Sequence, residues 1–286
     1  MQFVSPTVLV GIVTRNRASI LRKAVQSALS QRGCELRVAV IDDGSTDETP
    51  TLASQFPMVD WTQRTISQGY LAARNHWMCS TREDYFVSLD DDAWFLEGDE
   101  IAIAIDVLEK NPQIGAVAFD ILSPDRPNPT LRDAPRPAAL YIGCGHVLRL
   151  AAVRNVGAYQ WSPGNYGSEE KDLSLRLMDA GYQIVRLPGL HVWHDKTPIA
   201  RAIPEQHKSG VCNDLAMTLR RTPAPLLPAA LLAKLYRHFI FSRRSGLTNP
   251  CLQGFWLFIR SIPAIWHSRR AVKASTLRNF IRLSQA

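Results

Sequence analysis

The sequence predicts an α/β fold, a mostly parallel sheet with helices on both faces, followed by a helical C-terminal extension. Three observations predict it. Short apolar runs of buried-strand length alternate with helical periodicities between residues 7 and about 195. Polar and acidic clusters (TRNR, DDGSTD, DDD) fall just after those runs, where ligands sit in open parallel sheets. After Pro198 the pattern is helical only.

Each element follows in order. TVLVGIVT (7–14) is a continuous apolar run and reads as the first strand; Ile20, Leu21, Ala24, Val25, Ala28 and Leu29 then recur at helical spacing. LRVAVID (36–42) is a second strand. STDE (45–48) reads as a capping box, with Ser45 as N-cap and Glu48 three residues on, opening a helix through Leu52 and Phe56. A short segment near MVDWT, a helix from about Tyr70 to Cys79, the strand YFVSLD, a helix around IAIAIDVLEK and the strand GAVAF continue the alternation, which argues for right-handed crossovers. SPDRPNPTLRDAPRP (123–137) has five prolines and no apolar period, the signature of a surface loop. A strand pair around ALYIGCGHVLRL, the loop QWSPGNYGSEE, a helix KDLSLRLMDA stopped by Gly181 and a strand QIVRL complete this part.

With 286 residues, 46% of them hydrophobic, the chain can bury a full core. Its five cysteines are far apart and never form CxxC, which argues against a disulfide framework or a zinc ribbon and for a reduced compartment. The N-terminus lacks a basic region ahead of an apolar run and a cleavage site, so a cytoplasmic location is expected. Charge is uneven: residues 1–198 hold 19 Lys and Arg against 24 Asp and Glu, residues 199–286 hold 14 against 2. Two parts, 1–198 and 199–286, are therefore expected to face different partners.

In the second part neither LLPAALLAKLYRHFIF nor CLQGFWLFIRSIPAIW reaches the ~20 apolar residues of a spanning helix. Leu252, Phe255, Trp256 and Ile259 share one helical face, continued by Ile262 and Trp266, with Arg243, Arg244, Arg260, Arg269 and Arg270 nearby. Such a stripe suits peripheral contact with an anionic membrane, here its inner face. The competing reading is a helix packed on the first part or on a second copy, giving a homodimer. No base-reading motif accompanies the charge, which argues against nucleic acid.

Asp42 and Asp43 end one strand, and Asp90, Asp91 and Asp92 end another. Five acids converging on one sheet edge would raise each other's pKa values unless a cation neutralised them. Hard oxygen ligands favour Mg²⁺ or Mn²⁺. The plain alternative, a solvated acidic loop, sits poorly with clusters that directly terminate apolar strands. A phosphohydrolase would want a DxDx(T/V) aspartate, but Gly44 takes the second-acid position in IDDGST and Trp94 the last position in LDDDAW.

Six segments in order, VTRNR, IDDGSTD, QGYLAARN, LDDDA, YGSEEKDLSLRLMDAGYQI and LPGLHVWH, resemble the family 2 inverting glycosyltransferases of the GT-A fold, the Rossmann-like fold of nucleotide-diphospho-sugar transferases. The resemblance covers roughly residues 7–195. It implies a metal-dependent transfer of sugar from a nucleotide-sugar donor to a hydroxyl on a glycan or lipid-linked acceptor, in lipid-linked glycan or cell-surface polysaccharide synthesis. A polyprenyl phosphate acceptor and a catalytically silent nucleotide-sugar binder are the alternatives. Carried over by position, Thr14, Arg15 and Arg17 would line the nucleotide pocket beside Asp42, which would accept from a base N–H, with Asp43 close by. Arg74 would sit near the diphosphate, Asp90 would face the ribose, and Asp91 takes the variable middle position. Asp92 would bind Mn²⁺ or Mg²⁺, completed by His194, with His191 as fallback. Glu170 takes the position of the catalytic base, with Glu169 and Asp172 on the acceptor side as alternatives. Three positions depart from the usual pattern: Glu170 stands for an Asp, Ala93 for an acid, and Arg15 for an aromatic residue. The first touches the choice of base; the others leave the nucleotide open.

Overall fold

A computed structural model describes residues 5–199 and 202–285. The chain opens with β1 (Thr7–Thr14), α1 (Ala18–Leu29), β2 (Glu35–Asp42), a 3-10 helix (Thr49–Gln55), β3 (Asp60–Gln63), α2 (Tyr70–Ser80) and β4 (Tyr85–Asp90). It continues through β5 (Ala93–Phe95), α3 (Glu100–Lys110), β6 (Ile114–Leu122), β7 (Arg136–Pro137), β8 (Gly145–Arg149), α4 (Leu150–Val156), α5 (Glu169–Asp179) and β9 (Gln183–His194). Four helices follow: α6 (Ile203–Arg221), α7 (Leu227–Arg244), α8 (Thr248–His267) and α9 (Ala274–Gln285).

The strands form one sheet in the order β3-β2-β1-β4-β8-β6-β9-β5, with β7 paired to β9. From β3 to β4 the pairing is parallel, as the alternation predicts; β8 runs antiparallel between β4 and β6, and β5 runs antiparallel to β9. Burial explains the unbroken apolar runs: Val8, Leu9, Val10 and Ile12 of β1 are all fully buried, on both faces of the sheet. Gly11 interrupts that run for a packing reason, since a Cβ there would lie 2.6 Å from the Trp77 ring and 2.7 Å from Phe86.

Three local expectations are corrected. The STDE segment does not make a capping box. Ser45 gives its hydroxyl oxygen to the Asn16 N–H and its own N–H to Asp42, while the Asp47 carboxylate accepts from the N–H of Thr49, so only a 3-10 helix follows. Around ALYIGCGHVLRL there is one strand, β8, with α4 behind it. The strand begun at QIVRL runs on to His194, because a Gly189 with φ 78° and a register shift against β6 let it continue past Pro188.

Packing divides the chain differently from composition. One compact unit takes the sequence up to Ala158 and the stretch that begins at Ala180; the other takes Tyr159–Asp179 and the remaining helices. Residues 159–179 join the basic helices because specific polar bonds tie them there. Asn213 of α6 accepts from the Gly164 N–H at 2.8 Å and donates to the carbonyls of Gly164 and Tyr166. The apolar centre of this unit joins Val211, Cys212, Leu215 and Leu219 of α6 to Cys251, Phe258 and Ile265 of α8. The two helices cross closely at Gly254, where a Cβ would stand 2.7 Å from the Lys208 carbonyl oxygen. No described helix is long and apolar enough to cross a membrane.

Candidate active site

Parallel pairing lines up the ends of three neighbouring strands. Thr14 of β1 is the register partner of Asp42 of β2, and Val13 is the partner of Asp90 of β4. The turn after β1 is clipped to the turn after β2: Asn16, at φ 55°, donates its N–H to the Ser45 hydroxyl at 2.9 Å and accepts from the Thr46 N–H at 2.7 Å. Between these turns Asp42 is fully buried. Its Oδ1 accepts from the Ser45 N–H at 2.9 Å, while its Oδ2 has no hydrogen-bond partner among the described residues. A buried carboxylate oxygen left so is costly unless a ligand donates to it. Thr14 is buried beside it and Arg15 is exposed.

Asp43 has another occupation. Both its oxygens are used by the 64–69 segment, which donates from Arg64 Nη1 (2.8 Å), the Ser67 hydroxyl (2.6 Å), and the N–H groups of Gln68 (3.0 Å) and Gly69 (2.8 Å). Burial would raise its pKa, but these donors hold it below the usual carboxylate range. Arg64 is a partner of Asp43 that the sequence did not reveal, since nothing in TQRTIS marks it.

The three aspartates after β4 are in three different environments. Asp90, with its side chain 32% exposed, accepts from Arg74 Nη2 at 2.6 Å. Arg74 is nearly fully buried, lies over the Tyr70 ring, and also reaches the Gly143 carbonyl at 3.3 Å. Asp91 is buried against Arg17, Nη1 to Oδ1 2.6 Å, and the same guanidinium stands 3.6 Å from Asp92. Burial, with the charge of Asp92 adding and Arg17 opposing, pushes Asp91 up to about 6. Asp92 is buried and faces His194, Oδ1 to Nε2 3.3 Å.

His194 arrives there by register. β5 pairs with β9 so that Ala93 lies opposite His194, and the Asp195 N–H donates to the Asp92 carbonyl at 2.9 Å. His191, three residues earlier, is engaged elsewhere: its Nε2 accepts from the Thr130 N–H at 3.1 Å and its Nδ1 lies 3.2 Å from Glu97. Ligand atoms of Asp90, His194 and Cys144 all lie within 4.8 Å of one another, the one such group among the described residues. Cys144 was missed by sequence reasoning. Its position follows from the antiparallel pairing of Leu89 with Gly145, which carries residue 144 alongside Asp90.

Glu169, Glu170 and Asp172, which the resemblance put on the acceptor side, lie in the second unit, on the first turn of α5. Gly167 and Ser168 precede them with φ 93° and 75°, a left-handed pair that is unusual for a serine. Glu169 is buried and Glu170 half-buried. Asp172 is held by two arginines: Arg221 Nε at 2.6 Å from Oδ1, and Arg176 Nε at 2.8 Å from Oδ2. Burial would raise its pKa, yet the two guanidiniums hold it below the usual carboxylate range.

Residues 9–148 match the family model described as Glycosyl transferase family 2. Over 115 residues the chain is 32% identical to a chondroitin synthase of Escherichia coli, covering 39% of this chain and 17% of that protein. Over 91 residues it is 34% identical to the succinoglycan biosynthesis protein ExoO of Rhizobium meliloti, covering 30% and 26%. The chain thus spans well under a third of these curated relatives. Among solved structures it is similar to the mannosyltransferase PcManGT of Pyrobaculum calidifontis in complex with GDP-Man and Mn²⁺, at TM-score 0.62 and 16% identity, over 92% of this chain and 76% of that one. It is also similar to S. aureus TarS 1-349 in complex with UDP-GlcNAc, at TM-score 0.65 and 15% identity, over 92% and 82%. With the sheet order and the aligned strand ends in hand, the chain takes the GT-A fold, and its residues 9–148, just under half of it, match glycosyl transferase family 2.

Proposed function

We propose that this chain transfers a sugar from a nucleoside diphosphate sugar to a hydroxyl acceptor in one inverting displacement. The observation that carries the reading is a division along one sheet edge. A buried Asp42 oxygen with no partner among the described residues stands at β2, and the group of Asp90, Asp92 and His194 stands beyond β1, about 10 Å away by strand spacing. One end suits the N–H of a base and the other suits phosphates with a cation. Asp42 Oδ2 accepts from the base, Thr14 and Arg15 line the same pocket, and Asp90 faces the ribose. Arg74 sits near the diphosphate and fixes Asp90. Arg17, tied to Asp91, shapes the wall between the two ends, and Asp43 holds the 64–69 segment in place.

Asp92 and His194, with Asp90 beside them, make a carboxylate and imidazole donor set that fits Mn²⁺, and Mg²⁺ through the oxygens. When bound, such an ion supplies charge neutralisation for the leaving diphosphate. The solved neighbours whose complexes hold GDP-Man with Mn²⁺ and UDP-GlcNAc support this donor class. Glu170 takes the proton from the acceptor hydroxyl. Asp172 does not, because two buried arginines have already lowered its proton affinity; Glu169 remains as the neighbouring acid.

For the acceptor, a glycan in polysaccharide synthesis is the reading that the named relatives support. The helical unit adds a reason for a lipid-linked one. Leu252, Trp256, Ile259 and Trp266 of α8 are exposed on one face, while Cys251, Gly254, Phe258 and Ile265 fill the opposite face. No Asp or Glu follows Asp214, whereas twelve Lys and Arg do. A face of this kind suits an anionic bilayer; pairing with a second copy would set two cationic surfaces together. The function is tested by thermal shift with UDP, dTDP and GDP, each with and without Mn²⁺. One nucleotide is expected to raise the melting temperature, more so with Mn²⁺. No shift with any of them would overturn the reading.

A further inference from the structure

Nothing in the proposed donor chemistry calls for a thiol, yet a cysteine lies at the centre of it. Cys144 is almost fully buried, and its Sγ is within 4.8 Å of both an Asp90 oxygen and a His194 nitrogen. The sheet fixes it there. Gly145 pairs with Leu89 across β4 and β8, so residues 144 and 90 leave the sheet side by side. Arg74 locks the same corner by bridging Asp90, at 2.6 Å, and the carbonyl of Gly143, at 3.3 Å. Gly145 itself is tightly packed, with Ile121 and Val192 about to touch any added Cβ, so the strand end has little room to swing the thiol away.

We propose that Cys144 is a ligand of the same metal centre, so that the site offers a sulfur beside the carboxylates of Asp90 and Asp92 and the imidazole of His194. The inference rests on the metal reading above and deepens it. An oxygen-only site prefers hard ions; a thiolate added to carboxylate and imidazole moves the preference toward Co²⁺ and Zn²⁺. The thiol must lose its proton to coordinate, and that proton leaves to solvent as the ion binds. The ion reaches the group from the side of Asp90 and His194, whose side chains are 32% and 15% exposed. The sulfur closes the buried side.

Titration of the purified protein with Co²⁺, alone and with UDP, GDP or dTDP, tests this by absorption rather than by turnover. Visible bands report that Co²⁺ is bound in a protein site, and a near-ultraviolet band reports a thiolate on the metal. The wild type is expected to show both at one Co²⁺ per chain. Cys144→Ser should keep the visible bands, lose the near-ultraviolet band, and bind Co²⁺ and Zn²⁺ at least about tenfold more weakly. Its Mn²⁺ affinity should change less than about threefold, since Mn²⁺ favours the oxygen ligands. Cys79→Ser, at an exposed cysteine, should leave both bands intact. Visible bands without a near-ultraviolet band in the wild type would overturn the role of Cys144 and leave the metal centre standing, whether or not the variant folds. So would a near-ultraviolet band that survives in Cys144→Ser. If Asp92→Asn and His194→Ala bind Co²⁺ like the wild type, the metal centre itself is wrong, and the proposal falls with it.

Discussion

Replacing Asp172 by Asn separates an acid that builds the structure from one that does chemistry. In the wild type the carboxylate accepts from Arg221 Nε at 2.6 Å, Arg221 Nη2 at 3.2 Å and Arg176 Nε at 2.8 Å. The three side chains are 7%, 3% and 8% exposed, so solvent can take over little of the lost charge. Removing one partner of such a buried group leaves uncompensated cations, a loss of about 3–5 kcal/mol. At about 2–4 °C per kcal/mol for a chain of this size, melting should fall by about 6–20 °C. The sign with pH follows from the lowered folded-state value. The clamp contributes fully above the unfolded carboxylate pKa of about 3.9 and is lost as pH falls toward the folded one. Calorimetry at pH 7 and pH 3 should therefore show the wild type and Asp172→Asn far apart at the first and closer at the second. An Asp172→Asn protein that melts like the wild type but transfers no sugar would refute the clamp and make Asp172 a candidate base.

Other outcomes follow from the same geometry. Gly11→Ala should destabilise by about 1–3 kcal/mol in denaturant unfolding, because its methyl group would strike Trp77 and Phe86; an unchanged midpoint would contradict that packing. Asp91→Ala should weaken nucleotide binding in calorimetric titration more than an exposed change would, since it strands the part-buried Arg17 beside the proposed nucleotide pocket. In the helical unit, Asp214 is held below the usual carboxylate range: burial would raise it, but His238, Lys171 and Lys234 outweigh that. Its contribution should therefore be lost on acidification below about pH 4, and Asp214→Asn should flatten that limb of the stability curve. Vesicles containing phosphatidylserine should sediment the protein while phosphatidylcholine vesicles do not, and Trp256→Ala with Trp266→Ala should abolish it; equal sedimentation with both lipids would contradict the charge argument.

Much of the sheet was legible because its signal is local. A run such as TVLVGIVT is buried on both faces, so it needs no partner information to be read as a strand. The aspartates at Asp42 and Asp90 were legible for the same reason, as carboxylates that directly end such runs. What the sequence hid depends on register and on long-range bonds. Whether Asp43 faces a ligand or the 64–69 segment depends on Arg64 and two backbone N–H groups more than twenty residues away. The closeness of Cys144 to Asp90 comes from an antiparallel pairing within a segment read as two strands. The capping box failed because Asn16 and Asp42 compete for both hydrogen-bonding groups of Ser45. Likewise the acidic start of α5 gave no sign that residues 159–179 pack with the basic helices, since that depends on single partners such as Asn213 and Arg221.

The most direct test of the account is release of nucleoside diphosphate from a panel of nucleotide sugars, in the presence of a glycan or lipid-linked acceptor, by the wild type, Asp92→Asn and Glu170→Gln. The wild type should release nucleoside diphosphate with Mn²⁺ and not with a chelator present. Glu170→Gln should keep nucleotide binding but lose about 10²–10⁴-fold in transfer, the usual worth of a general base. Asp92→Asn should lose both the Mn²⁺ dependence and the rate. Wild-type binding of a nucleotide sugar with no release to any acceptor, or full activity in Asp92→Asn, would contradict the account.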